Sequence, residues 1–536
     1  MALSSFLQYP RISAHVVKRA LVFLSRYSTI IGVGLLVRLL IMPFTIQSDI
    51  IYHTWIAHFV VEGHVDVYRY YFQQFGTVMY PPVGQAAFPA AGFPPLFYII
   101  DAGYLIVLKM LGVFNFLSKW SIDNILLFAD QSRVFFFMKA LYIPFDLLGL
   151  ITFLLCLDAK HRRAGACSWM FNPAIIYVTY AWGQSDIIPV AFCMIALYFA
   201  KRGVGTGMLR HGVLSCLSLG LSASFKLFTM TLLPVFLFFL PARSPKFKLY
   251  YLGAWISPLV LVVPFVSKPF LDSMHSYPNY LLSRSSVLNY PQFTLYIVVG
   301  LYVAIIYCLY LLNVDWSFDR LLAFGLAVFS LLFGFSVWIP NWLLWVMPFL
   351  LLAVFRRPAL YWVYVMINAS YFVFSQAWGN AVWLGLFYPL SGLNRSFSSL
   401  GTFPNLWTLL GIDYWSPSFQ LLVGSAYTTI GISMFFVTYL VWKPRRDGVS
   451  PSCLRWSALL AIPIALGALT LVLGDTYLRE HGLPIIPTLA ARLAEDPWFF
   501  VFYFIIVSAI CVWLIIIQKA GVDRSEQKKL IDNISR

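Results

Sequence analysis

The feature that most constrains this chain is the way its apolar runs are punctuated. Stretches long enough to cross a bilayer alternate with short basic clusters at 160–163, 201–202, 243–248, 356–357, 443–446 and from Lys519 onward. A transmembrane helix needs about 20 apolar residues, and cytoplasmic loops accumulate Lys and Arg. Candidate spans fall at about 27–46, 133–157, 167–181, 186–200, 211–223, 227–241, 249–267, 293–313, 321–338, 341–355, 359–375, 421–442, 455–473 and 498–518. Only 11% of the residues are charged and 60% are hydrophobic, whereas a soluble domain carries roughly 25% charged residues. Lipid is therefore the expected solvent for most of the chain, and the formal charge of +16 reads as loop charge rather than as a nucleic-acid surface.

Residues 94–112 decide the topology. They are apolar but contain Pro94, Pro95, Asp101 and Lys109. If they cross, nearly every later basic cluster falls outside. If they lie along the outer surface or re-enter, all the clusters fall inside. On the second choice the cytoplasmic side holds 25 of the 37 Lys and Arg but only 7 of the 21 Asp and Glu. That asymmetry predicts an all-α, polytopic protein of about 14 transmembrane helices with both termini cytoplasmic. Long outer segments follow at about 47–132, 268–292, 376–420 and 474–497. The first is rich in Tyr, Pro and Gly, and is expected to carry short interfacial helices rather than disorder. A basic arm with Arg11, Lys18, Arg19 and Arg26 precedes span one and shows no cleavable signal pattern. The 7 cysteines are scattered, with no CxxC, and read as buried thiols rather than a disulfide framework or zinc site.

Four constellations sit at the outer membrane edge in this topology. In the first, Ser48-Asp49-Ile50-Ile51-Tyr52-His53-Thr54-Trp55, Asp49 follows span one. A partly dry carboxylate can act as a general base; Ser48 or Asp49 also suits a helix cap. In the second, Asn172-Pro173 precedes Trp182-Gly183-Gln184-Ser185-Asp186, a tight turn whose Asp186 could bind substrate or cap the next helix. In the third, Phe225-Lys226 puts a cation outside, either snorkelling or holding a phosphate. In the fourth, Trp338-Ile339-Pro340-Asn341-Trp342 with Trp345 and Pro348 is either an interfacial aromatic belt or a surface on which a sugar stacks. The segment 268–292 adds His275, Tyr277, Arg284, Asn289 and Tyr290, with Arg284 another outside cation.

In their order and spacing these motifs resemble the GT-C superfamily of membrane glycosyltransferases, which use polyprenyl-phosphate sugars. The acid after span one is matched by Asp49 with Tyr52 and Trp55. The first-loop prolines are matched by Tyr80-Pro81-Pro82 and Phe93-Pro94-Pro95-Leu96. The acid within the next span is matched by Asp146, the Trp-Gly-Gln-x-Asp turn by Trp182 to Asp186, and the Phe-Lys then Leu-Pro pattern by Lys226 and Leu233-Pro234. The resemblance covers roughly residues 27–350 and implies a catalytic module over 1–375, followed by a C-terminal transmembrane module over 376–536. The chain departs from the pattern where it has Asn289-Tyr-Pro-Gln292 and Asn341-Trp342.

The resemblance implies an inverting transfer of a sugar, such as mannose, from a polyprenyl-phosphate donor to a glycan, glycolipid or protein acceptor. Asp49 would be the base. Tyr52, Trp55, Asp146, Trp182, Gln184, Asp186, Lys226, Arg284, Asn289, Asn341 and Trp342 would bind the donor or substrate. Neither a cofactor nor a metal is demanded, because the leaving group carries one phosphate and no Asp-x-Asp is present. Membrane lipids are the expected surroundings, nucleic acid is not an expected partner, and a prokaryotic plasma membrane is favoured over the endoplasmic reticulum. A flippase for a polyprenyl-linked glycan, or a lipid transporter, is the alternative; it would place ionisable groups near the midplane of the spans.

Overall fold

A computed structural model describes residues 26–45, 48–76, 93–113, 131–241, 245–283, 287–289, 294–311, 317–336, 338–375, 417–442 and 505. The described residues are helical apart from one short antiparallel hairpin. The helices are α1 Ser28–Ile41, α2 Ser48–Val61, α3 Val67–Phe75, α4 Pro95–Met110, α5 Gln131–Ala140, α6 Tyr142–Cys156, α7 Arg162–Met170, α8 Pro173–Ile175, α9 Ile187–Thr206, α10 Leu209–Phe225, α11 Leu233–Phe239, α12 Pro245–Ile256 and α13 Lys268–Ser283. The hairpin pairs β1 Val287–Asn289 with β2 Thr294–Tyr296. Then follow α14 Ile297–Leu311, α15 Phe318–Phe335, α16 Leu343–Arg356, α17 Tyr361–Ser375 and α18 Pro417–Trp442.

Among the described residues, five helices are long and apolar enough to cross a membrane: Ser132–Cys156, Ile187–Thr206, Pro245–Phe265, Phe318–Phe335 and Val423–Trp442. The number rises to six if Ser28–Phe44 and Asp49–Val61 are taken as one bent span. The expected spans between 27 and 442 all coincide with helical segments, but several are short or broken. Residues 167–181 are interrupted at Phe171, and 227–241 divide into a 3-10 turn and α11. The expected spans at 455–473 and 498–518 lie outside the described residues, Ile505 excepted. So do Tyr80, Pro81, Pro82 and Arg284, along with nearly all of the outer segments 376–420 and 474–497. The boundary expected at residue 375 falls at the end of α17.

The chain forms two compact units, Met1–Leu40 with Trp498–Arg536, and Ile41–Pro497. In the first, the described structure is essentially α1, whose buried Arg38 donates to the Gly34 carbonyl one turn back (3.0 Å). The second holds the bundle. Its centre is α9, which packs against α6 and α10. Small residues on α10 make close packing possible: a Cβ at Gly220 would stand 2.1 Å from the Trp255 carbonyl oxygen, and one at Gly212 2.3 Å from the Tyr251 ring. Without a hydrophobic drive between helices in lipid, such close approach and interhelical hydrogen bonds supply the cohesion. Ser215 and Ser222 on α10 donate to the carbonyls of Ala196 (2.8 Å) and Pro189 (2.6 Å). A second tight crossing joins α15 to α18, with Gly334 against Phe435 and Ser330 sharing a 3.0 Å hydrogen bond with Thr438.

Basic clusters collect at one end of this bundle. Lys201 donates to the Cys156 carbonyl that ends α6 (2.7 Å), and Arg162 to the carbonyls of Leu154 and Leu157 (3.1 and 3.3 Å). Lys248 meets the carbonyls of Phe238 and Leu240 at the end of α11 (3.3 and 2.9 Å). Terminal carbonyls lack helical donors and carry the negative end of the helix dipole, so cations belong there. Arg356 pairs with Asp319.

Candidate functional site

The other end of α9 carries the candidate site. Asp186 stands about 22 Å along the axis from Lys201. The approach to it is irregular. Asn172 accepts from the Ile175 amide (3.0 Å) to start α8, and residues Ile176–Ala181 then widen into a π-helix. Such widened turns recur at functional sites. The Trp182 amide bonds Tyr177 O (2.7 Å), the Gln184 amide bonds Val178 O (2.9 Å), and Gly183 takes φ +83°. A Cβ there would meet Ile50 at 2.9 Å, so glycine serves both the turn and the approach of α2.

That approach brings Asp49 to the turn. Asp49 occupies the first turn of α2, where the helix dipole favours an acid, and it is only partly buried. The Gln184 side-chain amide donates to one of its carboxylate oxygens. Two residues lock the junction. Lys139, fully buried, donates to the carbonyls of Met42 (3.2 Å) and Thr45, to the Thr45 hydroxyl (2.9 Å) and to the Ala181 carbonyl (3.3 Å). Tyr142 donates to the Gly183 carbonyl (3.2 Å).

Asp186 forms the second half. It is wholly buried and receives the Lys226 ammonium at 2.7 Å, the Asn341 amide at 3.2 Å and the Trp345 indole N–H. Its side chain makes no cap bond to α9, contrary to the capping expectation. Lys226 does not snorkel. It is 5% exposed and lies over the rings of Phe93 (4.8 Å) and Trp345 (5.4 Å). The expected aromatic belt is also corrected: Trp338, Trp342 and Trp345 are core residues. Trp342 stacks on Trp345 (4.9 Å), and Trp345 on Phe228 (4.5 Å). Packing rather than the interface holds them, because the 3-10 turn Pro340–Trp342 carries Asn341 inward to Asp186.

The remaining expected residues are distributed differently. Asp146 lies inside the bundle, accepting from Trp169 (2.7 Å) and Tyr180 (2.8 Å), and ties α6 to α7 and the π-helix. Trp55 faces Phe59, Tyr71 and Phe75 in an aromatic group of α2 and α3. Tyr52 lies on α2. Asn289 ends β1 opposite Thr294. Trp182 packs with Tyr177 and Phe372.

Three residues with no assigned role enter the site. Phe93, at the head of α4, covers Lys226 and is held by Tyr68 and Tyr98. Lys139 is the clamp described above; a lone lysine inside an apolar run was its signal. His53, one turn after Asp49, meets Phe93 and Phe97 edge-on at 4.2 and 5.2 Å. Burial, then the nearby Lys226 charge, pushes its pKa down to about 3, so the ring is neutral. Asp101 on α4 is buried, which pushes its carboxyl up to about 7.

Comparison with family models, curated proteins and solved structures finds no match to this chain. Function is therefore argued from the site itself.

Proposed function

We propose that this chain is an inverting membrane glycosyltransferase, moving a hexose from a polyprenyl-phosphate carrier to an acceptor hydroxyl at the outer face. The observation that carries the reading is the meeting of Asp49 with the Trp182-Gly183-Gln184 turn, beside the buried Asp186, Lys226 and Asn341. Residues 135 positions apart in the chain are joined there. The acceptor oxygen attacks the anomeric carbon while an Asp49 carboxylate oxygen takes its proton. The bond from that carbon to the phosphate oxygen breaks, and the phosphate leaves with the electron pair. Gln184 orients the base. Because attack and departure occur on opposite faces, the anomeric centre inverts.

Lys226 is paired with Asp186; Arg284, which the sequence expects at the outer face, is the cation proposed to meet the charge growing on the phosphate. Asp186 and Asn341 hold the wall of the site, with Trp342 and Trp345 as its aromatic face. The full topology belongs to the same proposal: 14 spans, the first loop along the outer surface, and the basic end of the bundle in the cytoplasm of a prokaryotic cell.

The flippase alternative requires charged groups along a path through the bundle. Lys139 and Asp146, two of the buried charges within the spans, are instead held by carbonyls, Thr45, Trp169 and Tyr180. Membranes carrying the protein, given labelled polyprenyl-phosphate mannose, glucose or arabinose, should move label to an acceptor. Label that only changes leaflet would identify a flippase and end the transferase reading.

A further inference from the structure

Side-chain polar atoms buried without a partner are rare, because each forfeits its hydrogen bonds to water. Among the described residues they occur in several places, and five belong to this site: His53 Nδ1, Trp182 Nε1, Gln184 Oε1, Asn341 Oδ1 and Trp342 Nε1. Gln184 and Asn341 each use one end of the amide, on Asp49 and Asp186 respectively, and leave the other unpaired. His53 differs from the rest in that its ring lies edge-on against two phenyl groups, Phe93 and Phe97, at 5% exposure, with its Nδ1 unpaired. It shares a face of α2 with Asp49, four residues earlier. It also shares the Phe93 ring with the Lys226 ammonium.

We infer that His53 is a substrate-binding residue whose Nδ1 exchanges a hydrogen bond with a hydroxyl of the transferred sugar. This rests on the glycosyltransferase reading and extends it to a residue outside the acid and cation set. The ligand chemistry follows from the surroundings. The Asp186–Lys226 pair is neutral as a unit, and the unpaired atoms mix donors with acceptors. An uncharged polyhydroxylated ring suits that set, since a hydroxyl both donates and accepts. A carboxylated or phosphorylated sugar would bring a charge with no free counter-charge among these residues. The neutral imidazole adds none, because burial and Lys226 keep it unprotonated.

The test uses the full chain in membranes that supply native acceptor, with polyprenyl-phosphate mannose, glucose and arabinose as probes. His53→Phe keeps the aromatic packing and removes the unpaired nitrogen, so its Tm should equal or exceed that of the wild type. Its kcat/KM for the donor should fall roughly 10- to 100-fold, carried mainly by KM. His53→Asn, which restores a polar group near Nδ1, should recover activity to within about tenfold of wild type. Against a series of monodeoxy donors, the loss in His53→Phe should vanish for the one lacking the contacted hydroxyl. Wild-type kcat/KM in His53→Phe would overturn the inference while leaving the transferase standing. A penalty equal across all deoxy donors would also overturn it, since that marks a packing role. No transfer by the wild type itself would remove the underlying reading and the inference together.

Discussion

The two ends of α9 handle charge in opposite ways. At the Lys201 end, Lys201, Arg162 and Lys248 turn to helix-terminal carbonyls, which any long cation could satisfy. At the Asp186 end, charge is buried, paired and aimed: Lys226 on Asp186, Lys139 on a cage of oxygens, Gln184 on Asp49. The first arrangement closes helices. The second holds a carboxylate in a defined place at the cost of desolvating several ions. Fixed dipoles and charges of that kind are what catalysis by pre-organisation needs.

If the contrast is right, substitutions at the two ends should differ in kind. The largest effect is expected for Asp49→Ala, which should lower transfer about 10²- to 10⁴-fold with the protein still folded. Transfer at the wild-type rate would remove Asp49 as base. Next is Lys226→Met, which strands Asp186 as a buried unpaired charge and should cost about 3–5 kcal/mol of stability. Thermal melting in detergent reads this, and Lys226→Met combined with Asp186→Leu should recover part of the loss.

A third effect is read against pH. The folded Asp101 carboxyl titrates near pH 7, above its unfolded value of 3.8. The folded state therefore binds the extra proton between those values, and stability falls as pH rises through that window. Asp101→Asn should flatten the melting temperature between about pH 4 and 7 relative to wild type; parallel curves would mean that the carboxyl is not buried in the folded protein.

Gly183→Ala should cost about 1–3 kcal/mol, through its positive φ and the clash with Ile50. Because that clash pushes α2 away from the turn, transfer should fall more than stability does. The smallest effect belongs to the basic end: Lys201→Ala should cost about 1 kcal/mol or less and leave transfer unchanged. A loss of transfer there comparable to that of Gly183→Ala would erase the distinction between the ends.

Much of the fold was legible from the apolar runs. Hydropathy over about 20 residues and the placement of basic clusters are local, one-dimensional signals, and among the described residues helices follow them. The turn at Gly183 was legible for the same reason, since a glycine between two apolar runs permits a left-handed backbone. Burial was not. Trp338, Trp342 and Trp345 have the composition of an interfacial belt, and only the packing of Phe228 and Phe333 around them shows that they are core. Asp146 was expected inside a span and Asp186 in the turn between two, and both were expected to bind donor or substrate. Their partners separate them, two core hydroxyl and indole donors for one, and a lysine, an amide and an indole for the other.

By itself the sequence marked apolar runs long enough to cross a membrane, predicted helices that the described residues bear out, and singled out Asp49 as a candidate. These follow from the solvent, because lipid forces every backbone amide of a crossing segment into a helix. Only the tertiary structure decided that Asp49 meets Gln184, that Lys226 spends its charge on Asp186, and that a nitrogen of the His53 ring is buried without a hydrogen-bond partner. Those pairings join residues far apart in the chain, and their energies depend on distance and burial, neither of which spacing along a sequence encodes.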